Sequence, residues 1–187
     1  MQFKGKNLLK FVPDFTVIDM ETTGRSNTPE DITEMSAIRY RNYKPVDRFS
    51  VLVKAANPVL PFVVGLTGID DEMLVNAPRI EEVIEDFAQF IGEDTVLGHN
   101  VTFDLGLVNS ALKAIDDFPL SNDFIDTLRI SRLMNQDSLN HKLQTLCEYF
   151  GVEREVGHRA EHDCSQTAAI YIEMKNKYMS LVGGLKI

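Results

Sequence analysis

The run Phe15-Thr-Val-Ile18, β-branched and aromatic throughout, passes without a break into Asp19-Met-Glu21. A short continuous run of this kind fits a strand buried in the middle of a sheet. Two carboxylates at i and i+2 on an extended backbone project to the same side. The chain therefore carries a pair of acids at the end of a central strand, entering the polar loop that begins Thr22-Thr23-Gly24. Open sheets usually bind ligands at that end of a strand. Taken alone the pair is weak, because acids fill 28 of 187 positions and Asp-x-Glu arises often by chance.

The segments Ile32 to Tyr40 and Arg48 to Lys54 read as two more strands joined by a turn over residues 41–46, which predicts an antiparallel meander of three. Pro78 opens a helix in which Ile80, Val83, Ile84, Phe87 and Ile91 recur at helical spacing, and Gly92 ends it. Thr95-Val-Leu97 is a short strand. Asn100 is placed as the N-cap of a helix whose apolar face is Val101, Leu105, Val108, Leu112 and Ile115. Asp126 caps a helix from Thr127 to Met134 or serves the site from behind, with neither reading preferred. Leu143, Leu146, Cys147 and Phe150 face one way on a helix stopped by Gly151, and a last helix runs from Glu161 to Tyr178. Strands first and helices interleaved later predict an α/β fold, a mixed sheet flanked by helices. At 187 residues and 44% hydrophobic, the chain is long enough for one core and too short for two ordinary domains. A single domain over residues 11–179, with short tails at 1–10 and 180–187, is the expectation.

No apolar run approaches the roughly 20 residues that span a bilayer, so no membrane association is expected, and a soluble cytoplasmic protein is the default. Cys147 and Cys164 lack metal-type spacing and read as reduced, partly buried thiols. The net charge of −9 argues against a protein that grips long duplexes electrostatically, but not against one that holds a strand end.

Two further motifs join the first pair. In His99-Asn-Val-Thr-Phe-Asp104 the aspartate falls in the first turn of a helix, where an acid also suits the helix dipole by ~0.3–1 kcal/mol. The Gly-His-Asn before it suits a functional turn. In His158-Arg-Ala-Glu-His-Asp163 an imidazole on a polar loop, expected to be mobile, precedes an aspartate that opens the final helix. His141 and His162 have no comparable context and read as surface residues. Four carboxylates and one imidazole suit a site that holds two divalent metals and activates water against a phosphodiester. Oxygen ligands favour magnesium or manganese over zinc.

These three motifs, Asp-x-Glu-Thr-x-Gly, Asn-x-x-x-Phe-Asp and His-x-x-x-x-Asp in that order, resemble those of the DEDDh 3'-5' exonucleases, closest in type to the epsilon (DnaQ-like) proofreading subunit of bacterial DNA polymerase III and the exonuclease domain of the Gram-positive replicative polymerase. The likeness runs from Phe15 to Met174 and includes Val63-Val-Gly-Leu-Thr-Gly-Ile69. It implies a ribonuclease H-like fold, an antiparallel three-strand meander plus parallel strands. It implies that Asp19, Glu21, Asp104 and Asp163 hold two magnesium or manganese ions and that His158 is the general base. Arg159, four before Asp163 where another branch has tyrosine, favours the histidine branch, whereas Cys164 departs from the small residues common there. Met20, Thr22 and Thr23 are expected to contact the terminal nucleotide through backbone amides and hydroxyls. His99, Asn100 and Phe103 are expected beneath the strand, with Phe103 a candidate for base stacking. The expected partner is a single-stranded or frayed 3' end of DNA, in proofreading or repair, with a polymerase subunit as a further candidate. RNA as substrate, or an inactive nuclease fold that binds a polymerase, are the alternatives.

Overall fold

The computed structural model describes residues 4–25, 28–115, 119–153 and 157–183. Five strands, β1 (Phe15–Thr22), β2 (Ile32–Arg41), β3 (Lys44–Leu52), β4 (Val96–Gly98) and β5 (Phe124–Asp126), form one sheet in the order β3-β2-β1-β4-β5. The meander is antiparallel, and β1–β4 and β4–β5 are parallel. The sheet is thus the mixed one expected, with β1 at its centre.

Side-chain alternation along β1 builds two cores at once. Phe15 and Val17 face the layer covered by helices α6 (Leu143–Phe150) and α7 (Ala160–Gly183). Ile18 and Met20 face the layer covered by α3 (Ile80–Ile91) and α4 (Thr102–Ile115). Phe15 stacks on Tyr40 at 5.0 Å and meets the edge of Tyr171 at 5.1 Å, tying β1 and β2 to α7. Such aromatic pairs are worth about 0.5–1.5 kcal/mol beyond the area they bury.

Helix ends follow their local chemistry. The Glu82 carboxylate accepts the Arg79 N–H at the start of α3 (2.7 Å). Asp126 caps α5 (Thr127–Met134) by accepting the Leu128 N–H, and Gly151 closes α6 in the left-handed conformation. Asn100 differs from expectation. It has φ of 65° and lies ahead of α4, which starts at Thr102, so it turns the chain rather than capping the helix. Two short helices that periodicity did not reveal follow β3, α1 (Pro61–Thr67) and α2 (Asp71–Leu74), and α1 lies against Gly24 of β1's loop.

The N-terminal stretch expected as a tail is in part structured. Phe124 donates to the Lys6 carbonyl and accepts from the Leu8 N–H, the Val12 N–H donates to the Tyr171 hydroxyl, and Phe11 packs on Tyr171. At the other end α7 continues to Gly183; residues 1–3 and 184–187 of the expected tails lie outside the described residues. Both cysteines are buried, and neither is in a disulfide. Among the described residues no helix is long and apolar enough to cross a membrane.

Gly98 fixes how closely β4 approaches β1 and α4. A Cβ there would lie 2.6 Å from Val101 Cγ2 and 3.3 Å from the Ile18 carbonyl oxygen. Gly98→Ala is expected to lower stability by about 1–3 kcal/mol in urea unfolding, the range for overpacking a filled site. Unchanged stability would contradict the close approach.

Candidate active site

Asp19 and Glu21 continue the Phe15–Val17 face of β1 beyond its apolar part, toward the first turn of α7, which carries Asp163. One carboxylate oxygen from each of Asp19, Glu21 and Asp163 lies within 4.8 Å of the other two. Asp104 enters from the first turn of α4 and is 5% exposed, with a carboxylate that accepts its own N–H and that of Met20. Residues separated by more than a hundred positions thus meet at the carboxyl end of the central strand. An oxygen-only donor set of this density fits a divalent cation, magnesium, manganese or calcium in kind.

A fifth carboxylate escaped the sequence reading. Glu34 on β2 stands opposite Glu21 in the antiparallel register and is 2% exposed. It is neutralised differently from the rest. The Arg159 guanidinium grips it through Nη2 and Nε, the latter 3.0 and 3.1 Å from its two oxygens, and the Ala160 N–H donates to it at 2.9 Å. Glu34 therefore anchors the residues between His158 and Asp163 to the sheet. Its signal in the sequence was an acid inside the otherwise uncharged run Ile32-Thr-Glu-Met-Ser-Ala-Ile38, legible only with the register known.

Burial, joined at Asp19 and Glu21 by crowding, holds protons on Asp19, Glu21 and Asp104. Burial, then the charges of Asp163, Glu34 and Asp104, push Glu21 up to about 8, partly offset by Arg159. Burial pushes Asp104 up to about 8 against the two backbone hydrogen bonds it accepts. Asp19 rises well above the usual carboxylate range through burial, then through Asp104, Asp163, Glu21 and Glu34. Beneath them the Cys164 thiol, wholly buried, points at the Ser36 carbonyl (3.5 Å).

His158 lies at the rim of this cluster. Its Nδ1 is 3.2 Å from Asp163 Oδ2, and its other ring nitrogen meets the Gln144 amide. The expected mobile loop is tied down at this residue, since the His158 N–H donates to the Leu66 carbonyl of α1 at 2.9 Å.

The expected substrate contacts separate into exposed and occupied groups. Met20 has its side chain in the core and its N–H on Asp104, so neither is open to a nucleotide. Thr23 is fully buried, its N–H on the Asp31 carbonyl and its carbonyl accepting from Leu60. Thr22 is half-buried, with its hydroxyl oxygen 3.4 Å from the Gly24 N–H. Both ring nitrogens of His99 are engaged, by the Thr127 hydroxyl and the His141 carbonyl at 2.9 Å each, and burial lowers its pKa. His99 thus shapes the turn from within. Phe103 is half-buried against the α3–α4 core, whereas Asn100 is exposed. Asp126 does both things considered for it, capping α5 and accepting the Asn100 N–H at 2.9 Å. His141 is half-buried, hydrogen-bonded to Ser131, and His162 is half-buried too, so neither is a plain surface residue.

The RNase_T exonuclease family model matches residues 16–171. The chain belongs to the exonuclease family. Among curated proteins this exonuclease-family chain is 39% identical over 177 residues to the PolC-type DNA polymerase III of Caldanaerobacter subterraneus subsp. tengcongensis, covering 95% of the chain and 13% of the relative. It is 36% identical over 161 residues to that of Bacillus subtilis, covering 86% of the chain and 11% of the relative. The chain therefore spans only about an eighth of the length of these relatives. Among solved structures, exonuclease X in complex with 5' overhanging duplex DNA shares the fold with TM-score 0.70 at 24% identity, over 87% of this chain and 92% of that one. E. coli exonuclease I in complex with an oligonucleotide has TM-score 0.76 at 20% identity, over 93% of this chain and 43% of that one. The ribonuclease H-like mixed sheet is the fold they have in common.

Glu21 and Asp104, which ionise near 4.5 and 3.8 when free, retain protons to about 8 in the fold. The folded chain thus binds more protons than the unfolded one between those values. That stability is present in full below the ordinary carboxylate range and is lost as pH rises through about 8. In EDTA, the melting temperature is expected to fall across this window. Magnesium is expected to raise it more at about pH 8 than at about pH 6. A magnesium shift larger at the lower pH would contradict the assignment.

Proposed function

We propose that the chain removes nucleoside 5'-monophosphates from the 3' end of DNA by hydrolysis. Support comes above all from the convergence of Asp19, Glu21, Asp104 and Asp163, with His158 at their rim, at one end of β1. Two magnesium or manganese ions held by these four acids would supply Lewis acidity and neutralise charge developing on the phosphate. Asp19 and Glu21 are set by the strand, Asp104 by its hydrogen bond to Met20, and Asp163 by the anchored start of α7. His158 is the base that accepts a proton from the attacking water, a role worth about a hundred- to ten-thousand-fold in such reactions. Its backbone tie to Leu66 and its contact with Asp163 keep the ring beside the acids. Thr22, Asn100 and Phe103 are expected nucleotide contacts that remain at least partly accessible.

The polymerase relatives support an editing role, in which a frayed 3' end is trimmed beside a polymerase in the cytoplasm. The neighbour bound to overhanging duplex DNA supports a strand end as substrate over a continuous duplex.

On a 5'-labelled single strand with magnesium or manganese, a ladder shortening from the 3' end is expected, with a matched RNA strand run beside it. Asp19→Ala and Asp104→Ala should abolish it without loss of folding, and His158→Ala should slow it about a hundred- to ten-thousand-fold. Near-normal rates from either aspartate variant would defeat the assignment. Faster shortening of the RNA would move the substrate to RNA, and no shortening of either by the folded protein would leave a binding role.

A further inference from the structure

A second feature opens on the same edge of the sheet, outward from the acids. A groove of about 660 Å³ lies over the carboxyl ends of β4 and β5, floored by Leu128 and Leu143. Its polar lining is His99, Asn100, Asn140, His141, Arg132 and Lys142, so every charged lining residue is a cation in a chain of net charge −9. Arg132 and Lys142 are exposed, and neither has a carboxylate partner among the described residues. Four other arginines are used differently. Arg39, Arg41, Arg48 and Arg159 each face a carboxylate within 3.1 Å.

Neighbouring residues along the chain link the groove to the candidate active site on both sides. On one side Gly98, which precedes the groove residues His99 and Asn100, abuts the Ile18 carbonyl next to Asp19. On the other, Lys142 and Leu143 run directly into Gln144, whose amide meets the His158 ring. The walls are rigid where they matter. His99 is pinned at both ring nitrogens, and the Asn100 N–H is held by Asp126.

From this placement we infer that the groove is the track for the single strand behind its terminal nucleotide, with Arg132 and Lys142 contacting successive backbone phosphates and Asn100 and Asn140 its sugar or base edges. The inference rests on the proposed hydrolysis at the acids and extends it. Cations and amides over a small apolar floor suit phosphates flanked by sugar and base faces, whatever the sequence. Two cations, set in an acidic protein, suit a short single-stranded segment and a shallow salt dependence. An acidic polypeptide is the competing occupant, and the test includes it.

The full chain and R132Q/K142Q are compared on a long single strand and on a dinucleotide, at several salt concentrations. Loss of two phosphate contacts at about 0.7 of slope each should lower the salt slope by about 1.4 and raise KM for the long strand about ten-fold at physiological salt. The turnover number and all dinucleotide kinetics should stay unchanged, and R132K/K142R should restore KM. An unchanged KM and salt slope on the long strand would overturn the inference, as would an equal loss on the dinucleotide. Fluorescence anisotropy of the labelled strand in EDTA reads the same groove without turnover. If the wild type hydrolyses nothing yet the double variant binds ten-fold more weakly, the hydrolysis reading fails and the track stands. If strand binding is unchanged while a polyglutamate peptide is lost, the track fails in favour of an acidic polypeptide.

Discussion

The crowding of carboxylates, partly withdrawn from water, at the carboxyl end of β1 is the constraint around which the rest of the molecule is arranged. Burial is the largest cause that raises the proton affinity of Asp19, Glu21 and Asp104, and for Asp19 and Glu21 the charges of Asp104, Asp163 and Glu34 add to it. Left to themselves such groups separate or neutralise. The fold denies them separation by placing them on elements packed through the two cores, which meet on opposite faces of β1. What remains is neutralisation by protons or by cations, and that choice makes the cluster suited to divalent metal.

Glu34 shows that the fold treats one acid differently. Opposite Glu21, it adds to the repulsion, and Arg159 and the Ala160 N–H satisfy it within the protein. Its charge is spent on holding the start of α7, so the segment that carries His158 and Asp163 is fastened to the sheet at its middle. Fastening at Leu66 adds a second point, which links α1 to the same segment. Gly24 contributes to that link from below: with φ of 78°, it lies where a Cβ would be 2.7 Å from Val63 of α1.

Strongly periodic or strongly punctuated stretches were legible in the sequence. The β1 run, the meander, the α3 periodicity, the Asp126 cap and the Gly151 stop all follow from local chemistry, and the three acidic motifs were found from residue type and order. What was not legible depends on packing. Pro61-Phe-Val-Val-Gly-Leu-Thr67 contains two valines and a glycine, poor helix formers, and becomes helical through tertiary contacts such as buried Val63. The availability of individual groups was equally hidden. Met20 and Thr23 sit within the motif expected to touch substrate, but strand alternation and loop hydrogen bonds turn them inward. Glu34 needed the β1–β2 register before its place opposite Glu21 could be seen.

Protonated acids that must ionise to hold cations release protons as they do so. Calorimetric titration of manganese into the chain at neutral pH, repeated in buffers of different ionisation enthalpy, measures that release directly. The account predicts binding with a net loss of protons that fades above about pH 8, where Glu21 and Asp104 are already ionised. Binding with no proton release at neutral pH, or binding unaffected by Asp163→Asn, would contradict it.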